Sequence, residues 1–164
     1  MAMETLMDVK TAPVARTGML IRKPAAEVFE AFVDPAVTSR FWFSKGSGPL
    51  TPGALVQWDW EMYGASAQVR VIAVEPARRI LIEWGSPGET PTSIEWLLEP
   101  RGEDQTMVTL TNSGFDGTGD EVVAKALDAM EGFSLLLAGA KAWLEHGVQL
   151  NLVPDRHPDA IVQR

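Results

Sequence analysis

The sequence predicts an α+β fold. A curved antiparallel sheet of about six or seven strands grips one long C-terminal helix, and two short helices follow the first strand. Three observations carry this expectation. The stretch from Gly119 to Gly147 reads as one uninterrupted helix. The chain before it breaks into short strand-like runs cut by Gly and Pro. Those runs succeed one another about 8 to 15 residues apart with turn signals between them, which describes an antiparallel meander and not βαβ units.

The helix carries its own punctuation. Thr118 and Glu121 stand in the S/T-x-x-E spacing of a capping box, in which hydroxyl and carboxylate each satisfy a free backbone N–H. Asp120 and Glu121 place negative charge at the positive end of the helix dipole, and Lys141 and His146 lie towards the other end. Val122, Ala126, Met130, Phe133, Leu137, Ala140 and Leu144 recur at steps of three or four and form one apolar face. At ~1.5 Å per residue the helix spans on the order of 40 Å. Such a face needs a surface to bury against, and the strands before it are the candidate.

Taken in order, Met1 to Pro13 show no period and read as an irregular lead-in. Ala15 to Arg22 form a first strand with Met19 and Ile21 on one face and Leu20 on the other. Pro24 suits the first position of a helix whose stripe is Val28, Phe29, Phe32 and Val33. Asp34-Pro35 ends that helix and caps a second, Ala36 to Arg40. Phe41-Trp42-Phe43 follows. Three consecutive aromatics cannot all point inward from one element, so at least one belongs to a rim or a pocket.

Gly46, Gly48, Pro49, Pro52 and Gly53 mark turns. Ala54 to Met62 alternates, with Val56, Trp58, Trp60 and Met62 on one face. Ala65 to Glu75 is a strand with small residues at its start. Arg79 to Trp84 groups Ile80, Ile82 and Trp84. Ser93 to Glu99 groups Ile94, Trp96 and Leu98, and Gln105 to Asn112 is a last strand. Turns at Pro76 to Arg78, Gly85 to Pro91 and Pro100 to Asp104 separate them. The tail from Val148, with its PDRHPD run, reads as surface loop. The whole is expected to be one domain, residues 1 to 164, with its core over about 15 to 148. The concave face of the sheet would carry Trp58, Trp60, Trp84 and Trp96. Large residues there either fill the space under the helix or line a cavity.

Composition narrows the functions. Apolar residues make up 46% and charged residues 22%, as in an ordinary globular protein. A net charge of −8 argues against a nucleic-acid surface, which needs basic patches. With no cysteine there is no disulfide, thiol nucleophile or Cys-ligated zinc. The N-terminus lacks the basic and apolar regions of a signal peptide, and the longest apolar run, Leu135 to Ala140, is far too short for membrane insertion. A cytoplasmic location is expected.

Motifs for chemistry are sparse. His146 and His157 have no nucleophile at a recognisable elbow, and no G-x-S-x-G is present. Asp116-Gly117-Thr118-Gly119-Asp120 superficially suggests a calcium loop but lacks the ligand spacing. GSGPLTPG has the wrong spacing for a P-loop. Neither a metal nor a cofactor is expected.

Several stretches resemble the START-like (SRPBCC) superfamily, which includes birch-pollen-allergen proteins, polyketide cyclases and lipid-transfer domains. They are KPAAEVFEAFVDP, RFWF and GALVQWDWEMYGASAQVRVIAVEPARRILIEW. Within it the chain most resembles homologues of the heat-shock-protein ATPase activator. The matching features are the Pro-led helix ending at Asp34-Pro35, the pair Phe41-Trp42, the Val74-Glu75-Pro76 turn before a strand ending in Glu83-Trp84, and the closing helix with Trp143-Leu144. The resemblance covers roughly Ala15 to Val148. It implies a helix-grip fold, an apolar cavity between sheet and helix, and no catalytic signature. Several members are dimers.

The expected partner is therefore an apolar or aromatic small molecule, held by Trp42, Trp58, Trp60, Tyr63, Trp84, Trp96, Phe115, Met130, Phe133 and Leu137. Met130, Phe133 and Leu137 should bound the cavity from the helix. Gly132, Gly139 and Trp143 should lie on a second side, open to the rest of the sheet or to a partner in a homodimer, to which Phe133, Leu136 and Trp143 would add apolar surface. An enzyme of the polyketide-cyclase or hydrolase type would instead need a buried acid–base group, with Glu95, Tyr63 and Asp59 the candidates. By alternation Glu83 and Glu95 should point outward. A stress-related interaction module is a third reading, for which the acidic chain offers no docking motif.

Overall fold

The computed structural model describes residues 8–162, so the expectation for Met1 to Met7 lies outside the described residues. Among the described residues seven strands form one antiparallel sheet in the order β1-β7-β6-β5-β4-β3-β2. They are β1 (Ala15–Ile21), β2 (Lys45–Gly46), β3 (Leu55–Trp60), β4 (Ala65–Glu75), β5 (Arg79–Gly85), β6 (Thr92–Pro100) and β7 (Thr106–Ser113). Two helices, α1 (Ala25–Val33) and α2 (Pro35–Thr38), follow β1. The long helix α3 (Gly119–His146) follows β7, and a short α4 (Leu152–Arg156) follows α3. This is the helix-grip architecture that the resemblance implied.

Alternation sorts the sheet into two faces. Val56 and Trp58 of β3, Val69 and Val71 of β4, Ile80 and Ile82 of β5, Ile94 and Trp96 of β6, and Val108 and Leu110 of β7 all point inward and are buried. The register aligns them: Val71 opposes Ile82, Ile82 opposes Ile94, and Trp96 opposes Leu110. A bulge between Val71 and Ala73 shifts the register, so that Val74 and not Ala73 opposes the inward Ile80 at the end of β4.

Local chemistry sets the helices. Pro24 stands just before the first turn of α1, and its carbonyl accepts from the N–H groups of Glu27 and Val28. The Asp34 carboxylate accepts from the Ala36 N–H at 2.9 Å and caps α2. The buried Thr38 hydroxyl donates to Ala31 O at 2.5 Å, tying α2 back onto α1. α2 ends there, two residues short of the Arg40 expected. At α3, Thr118 Oγ1 accepts from the Glu121 N–H at 3.2 Å, and the Thr118 hydroxyl also meets the Glu121 carboxylate. The other end closes on Gly147 at φ 64, a left-handed position suited to glycine.

Helix α3 lies across the sheet towards β1. Ser134 Oγ and Thr17 Oγ1 are 3.0 Å apart, Lys141 Nζ donates to Leu20 O at 2.8 Å, and the Arg22 N–H donates to Glu145 at 2.9 Å. Leu136, Leu137 and Ala140 are fully buried against the sheet, beside Phe32 of α1 and Phe41.

Three expectations are corrected. The alternation of β3 continues in sequence to Met62, but the strand stops at Trp60. Glu61–Tyr63 make a 3-10 turn that Gly64 ends at φ 62, because the chain must reverse into β4. A two-residue strand, β2, forms where only turns were expected. The tail is not plain surface loop: α4 and a 3-10 turn at Pro158–Ala160 bring it back to the end of β3, where the Val162 N–H donates to Met62 O at 2.8 Å.

Candidate functional site

A cavity of about 820 Å³ opens between the sheet and the N-terminal half of α3. The antiparallel register brings one end of five strands to it: Trp60 closing β3, Ala65 to Ala67 opening β4, Trp84 and Gly85 closing β5, Thr92 opening β6 and Asn112 near the end of β7. Helix α3 contributes Lys125, Asp128, Ala129, Gly132 and Phe133, a single stripe at helical spacing. Phe115 and Asp116 enter from the loop before α3, and Val153 of α4 also lines the space.

Space survives here because the residues facing it are small. Trp60 pairs across the strands with Ala65, and Trp58 with Ala67. A Cβ built on Gly132 would meet nothing within 4 Å. Trp42 divides the cavity from the core. Its ring centroid lies 5.7 Å from Trp60, 5.7 Å from Trp84 and 6.1 Å from Phe133 on the cavity side. It lies 4.8 Å from Trp58 and 6.3 Å from Trp96 on the core side.

Of the ten side chains expected at the site, Trp42, Trp60, Tyr63, Trp84, Phe115 and Phe133 come together around the cavity. The other four do not. Trp58 is sealed between Trp42 and Phe43, the latter stacked at 5.0 Å. Trp96 is covered by Phe32 at 5.9 Å, and its indole N–H has no hydrogen-bond partner among the described residues. Both indoles are 1% exposed and act as core. Leu137 is fully buried in the packed part of the interface. Met130 falls off the inward face, because each step of four residues turns the helix about 40° past a full circle. The buried face runs through Val122, Ala126 and Phe133 to Leu136, Leu137 and Ala140. The second side expected for Gly132, Gly139 and Trp143 is also corrected. Gly132 faces the cavity, Gly139 is buried against Phe41, and the Arg40 guanidinium lies 5.1 Å above the Trp143 ring. Phe133 and Leu136, expected as surplus surface, are buried.

The acid–base candidates are each engaged. Glu95 points away from the concave face, as alternation required, and accepts from Arg79 Nε at 2.8 Å. Asp59 accepts from Gln57 Nε2 at 2.8 Å and Ser66 Oγ at 2.7 Å, and these bonds hold its carboxyl below the usual range. Burial pushes the Tyr63 phenol up, and its hydroxyl donates to Val153 O at 2.6 Å. Asp116, in the loop with a superficial calcium pattern, takes hydrogen bonds from Thr90 and Lys125 that lower its pKa.

Sequence reasoning missed Asn112, Thr92, Ala129 and Val153. Asn112 is 2% exposed, and its amide donates to Thr92 Oγ1 at 3.0 Å and to Ser93 O at 2.8 Å. The available signal was an asparagine, a residue depleted in strands, inside an otherwise good strand.

The profile of the family described as "Activator of Hsp90 ATPase homolog 1-like protein" matches residues 22–145. Protein SSP2350 from Staphylococcus saprophyticus is 32% identical, with a TM-score of 0.73 over 85% of this chain and 96% of that one. DynU16, from the dynemicin biosynthetic locus, is 26% identical with a TM-score of 0.68 over 83% of this chain; the match spans 48% of DynU16. The Aha1 dimer from Colwellia psychrerythraea is 19% identical with a TM-score of 0.71 over 82% of this chain and 98% of that one, a likeness of fold. No curated protein sequence matches the chain. Among the described residues no helix is long and apolar enough to cross a membrane.

Proposed function

The chain belongs to the Activator of Hsp90 ATPase homolog 1-like family, and from that premise we propose that it binds an apolar or aromatic small molecule between sheet and helix. The observation that carries the reading is the cavity of about 820 Å³, walled by Trp42, Trp60, Trp84, Phe115 and Phe133. Its volume falls in the range of small-molecule sites, and an aromatic wall is their usual lining, joined here by polar side chains that include Asn112, Thr92 and Asp128. Flat indole faces offer stacking partners to an aromatic ligand. A relative encoded in a biosynthetic locus, DynU16, adds support. The engagement of Glu95, Asp59 and Tyr63 in fixed hydrogen bonds favours binding over acid–base catalysis.

The test uses the uncharged fluorescent probe N-phenyl-1-naphthylamine. Its emission should rise on binding, and tryptophan fluorescence should fall with a stoichiometry of one. Gly132→Leu grows a side chain into the cavity and should weaken binding by about tenfold or more while the fold is kept. Native mass spectrometry of protein purified from its host would report a co-purified ligand. A probe that ignores the wild-type protein, or that binds Gly132→Leu equally well, would sink the reading.

A further inference from the structure

One polar group in this cavity is aimed with unusual definiteness. Asn112 sits on the inward face of β7 opposite Ile94, on the same face as the buried Val108 and Leu110. Its amide makes two hydrogen bonds, to Thr92 Oγ1 and to the Ser93 carbonyl. A carbonyl can only accept, so the atom facing Ser93 must be the nitrogen, and both amide hydrogens are used. The oxygen Oδ1 is thereby turned away from β6.

Oδ1 accepts no hydrogen bond among the described residues. It is not sealed in either: the one fully enclosed side-chain polar atom without a partner among them is Trp96 Nε1. Since Asn112 lines the cavity, its free acceptor opens onto that space. The charges at the cavity tell which ligands can reach it. Lys125 pairs with Asp116, donating to its carbonyl at 2.8 Å and its carboxylate at 3.2 Å, which leaves the carboxylates of Glu89 and Asp128 as the net charge of the lining. Anions are repelled, and a hydrogen-bond donor is wanted inside.

We propose that Asn112 is the specificity-determining residue of the cavity, and that it selects an aromatic ligand that is not an anion and bears a hydroxyl or N–H group, whose hydrogen bond Oδ1 accepts. The proposal rests on the binding reading above and adds what kind of molecule is bound. A ligand of the same shape without a donor would leave Oδ1 desolvated and unpaired, which is how buried polar groups reject such analogues.

Isosteric probes test it. 2-Naphthol offers a hydroxyl where 2-methylnaphthalene offers a methyl group, and 2-methoxynaphthalene offers an acceptor only. Calorimetric titration of the wild-type chain should show 2-naphthol bound about tenfold more tightly than the other two. The Asn112 side-chain amide signals in ¹⁵N spectra should move with 2-naphthol and stay in place with 2-methylnaphthalene. In Asn112→Leu the preference should vanish while 2-methylnaphthalene still binds. Should that variant fail to fold, the wild-type preference and amide shifts decide alone. Equal binding of the three probes to the wild type, or a preference that survives in Asn112→Leu, overturns the role of Asn112 and leaves the binding reading standing. Failure of all three to bind overturns both.

Discussion

The space between the sheet and α3 has two ends of opposite character. Under the C-terminal half of the helix, Leu136, Leu137 and Ala140 are fully buried among Ile80, Trp96, Phe32 and Phe41. Under the N-terminal half, Ala129 and Gly132 face Ala65 and Ala67 across a cavity. The tryptophans make the contrast sharpest. Trp58 and Trp60 stand two residues apart on the same face of β3, yet one is core and the other is cavity wall. The same holds for Trp96 and Trp84 on neighbouring strands. What differs is the cover. The α1–α2 segment and the aromatics after it close one end, whereas small helix residues leave the other open. Face is set by alternation, but role is set by what lies above that face.

The largest expected effect comes from breaking the packed end. Leu137→Ala should cost about 2–5 kcal/mol in urea denaturation, because it opens a void among fully buried neighbours. A cost below about 1 kcal/mol would mean that this end relaxes freely, and the contrast would be lost.

One substitution applied at both ends sharpens the comparison further. A Cβ on Gly139 would lie 3.1 Å from Phe41 Cβ and 3.3 Å from its carbonyl oxygen, so backbone must give way. Gly139→Ala should destabilise by about 1–3 kcal/mol. A Cβ on Gly132 meets nothing within 4 Å, so Gly132→Ala should gain up to about 1 kcal/mol from helix propensity. Opposite signs in thermal denaturation would establish that a glycine is needed at one end and merely tolerated at the other.

Much of this was legible before any coordinates. The capping residues Thr118 and Glu121, the period-two strands and the turn residues fix local structure, and local structure is what sequence pattern reports. The cavity's membership was legible only in part. Trp58 and Trp96 share the periodicity of Trp60 and Trp84, and no local rule says which pair α1 and the aromatics Trp42 and Phe43 will cover. Met130 was misplaced because steps of four accumulate rotation. Asn112 was hidden in a strand of the right period, and its value depends on Thr92 and Ser93 across the ladder. The short α4, rich in Pro and charge, owes its form to tertiary contacts that sequence does not display.

The smallest expected effect concerns those contacts, which join the tail to the hollow end. The Tyr63 hydroxyl donates to Val153 O, the Val162 N–H donates to Met62 O, and the Arg156 guanidinium bridges both oxygens of Glu131 on α3. Tyr63→Phe should cost about 0.5–1.5 kcal/mol, felt in the tail and not globally. The ion pair makes the tail sensitive to acid. Arg156 donates to Glu131 and lowers its pKa below the ordinary 4.5. A lowered carboxylate pKa contributes stability that is fully present above about 4.5 and is lost as pH falls through the lowered value. Hydrogen exchange of residues 148–162 should therefore lose protection on acidification before α3 does around Leu136 and Leu137. Arg156→Gln should remove that pH dependence. If both regions open together, tail and packed end form one cooperative unit, and the difference between the two ends is one of shape and not of local stability.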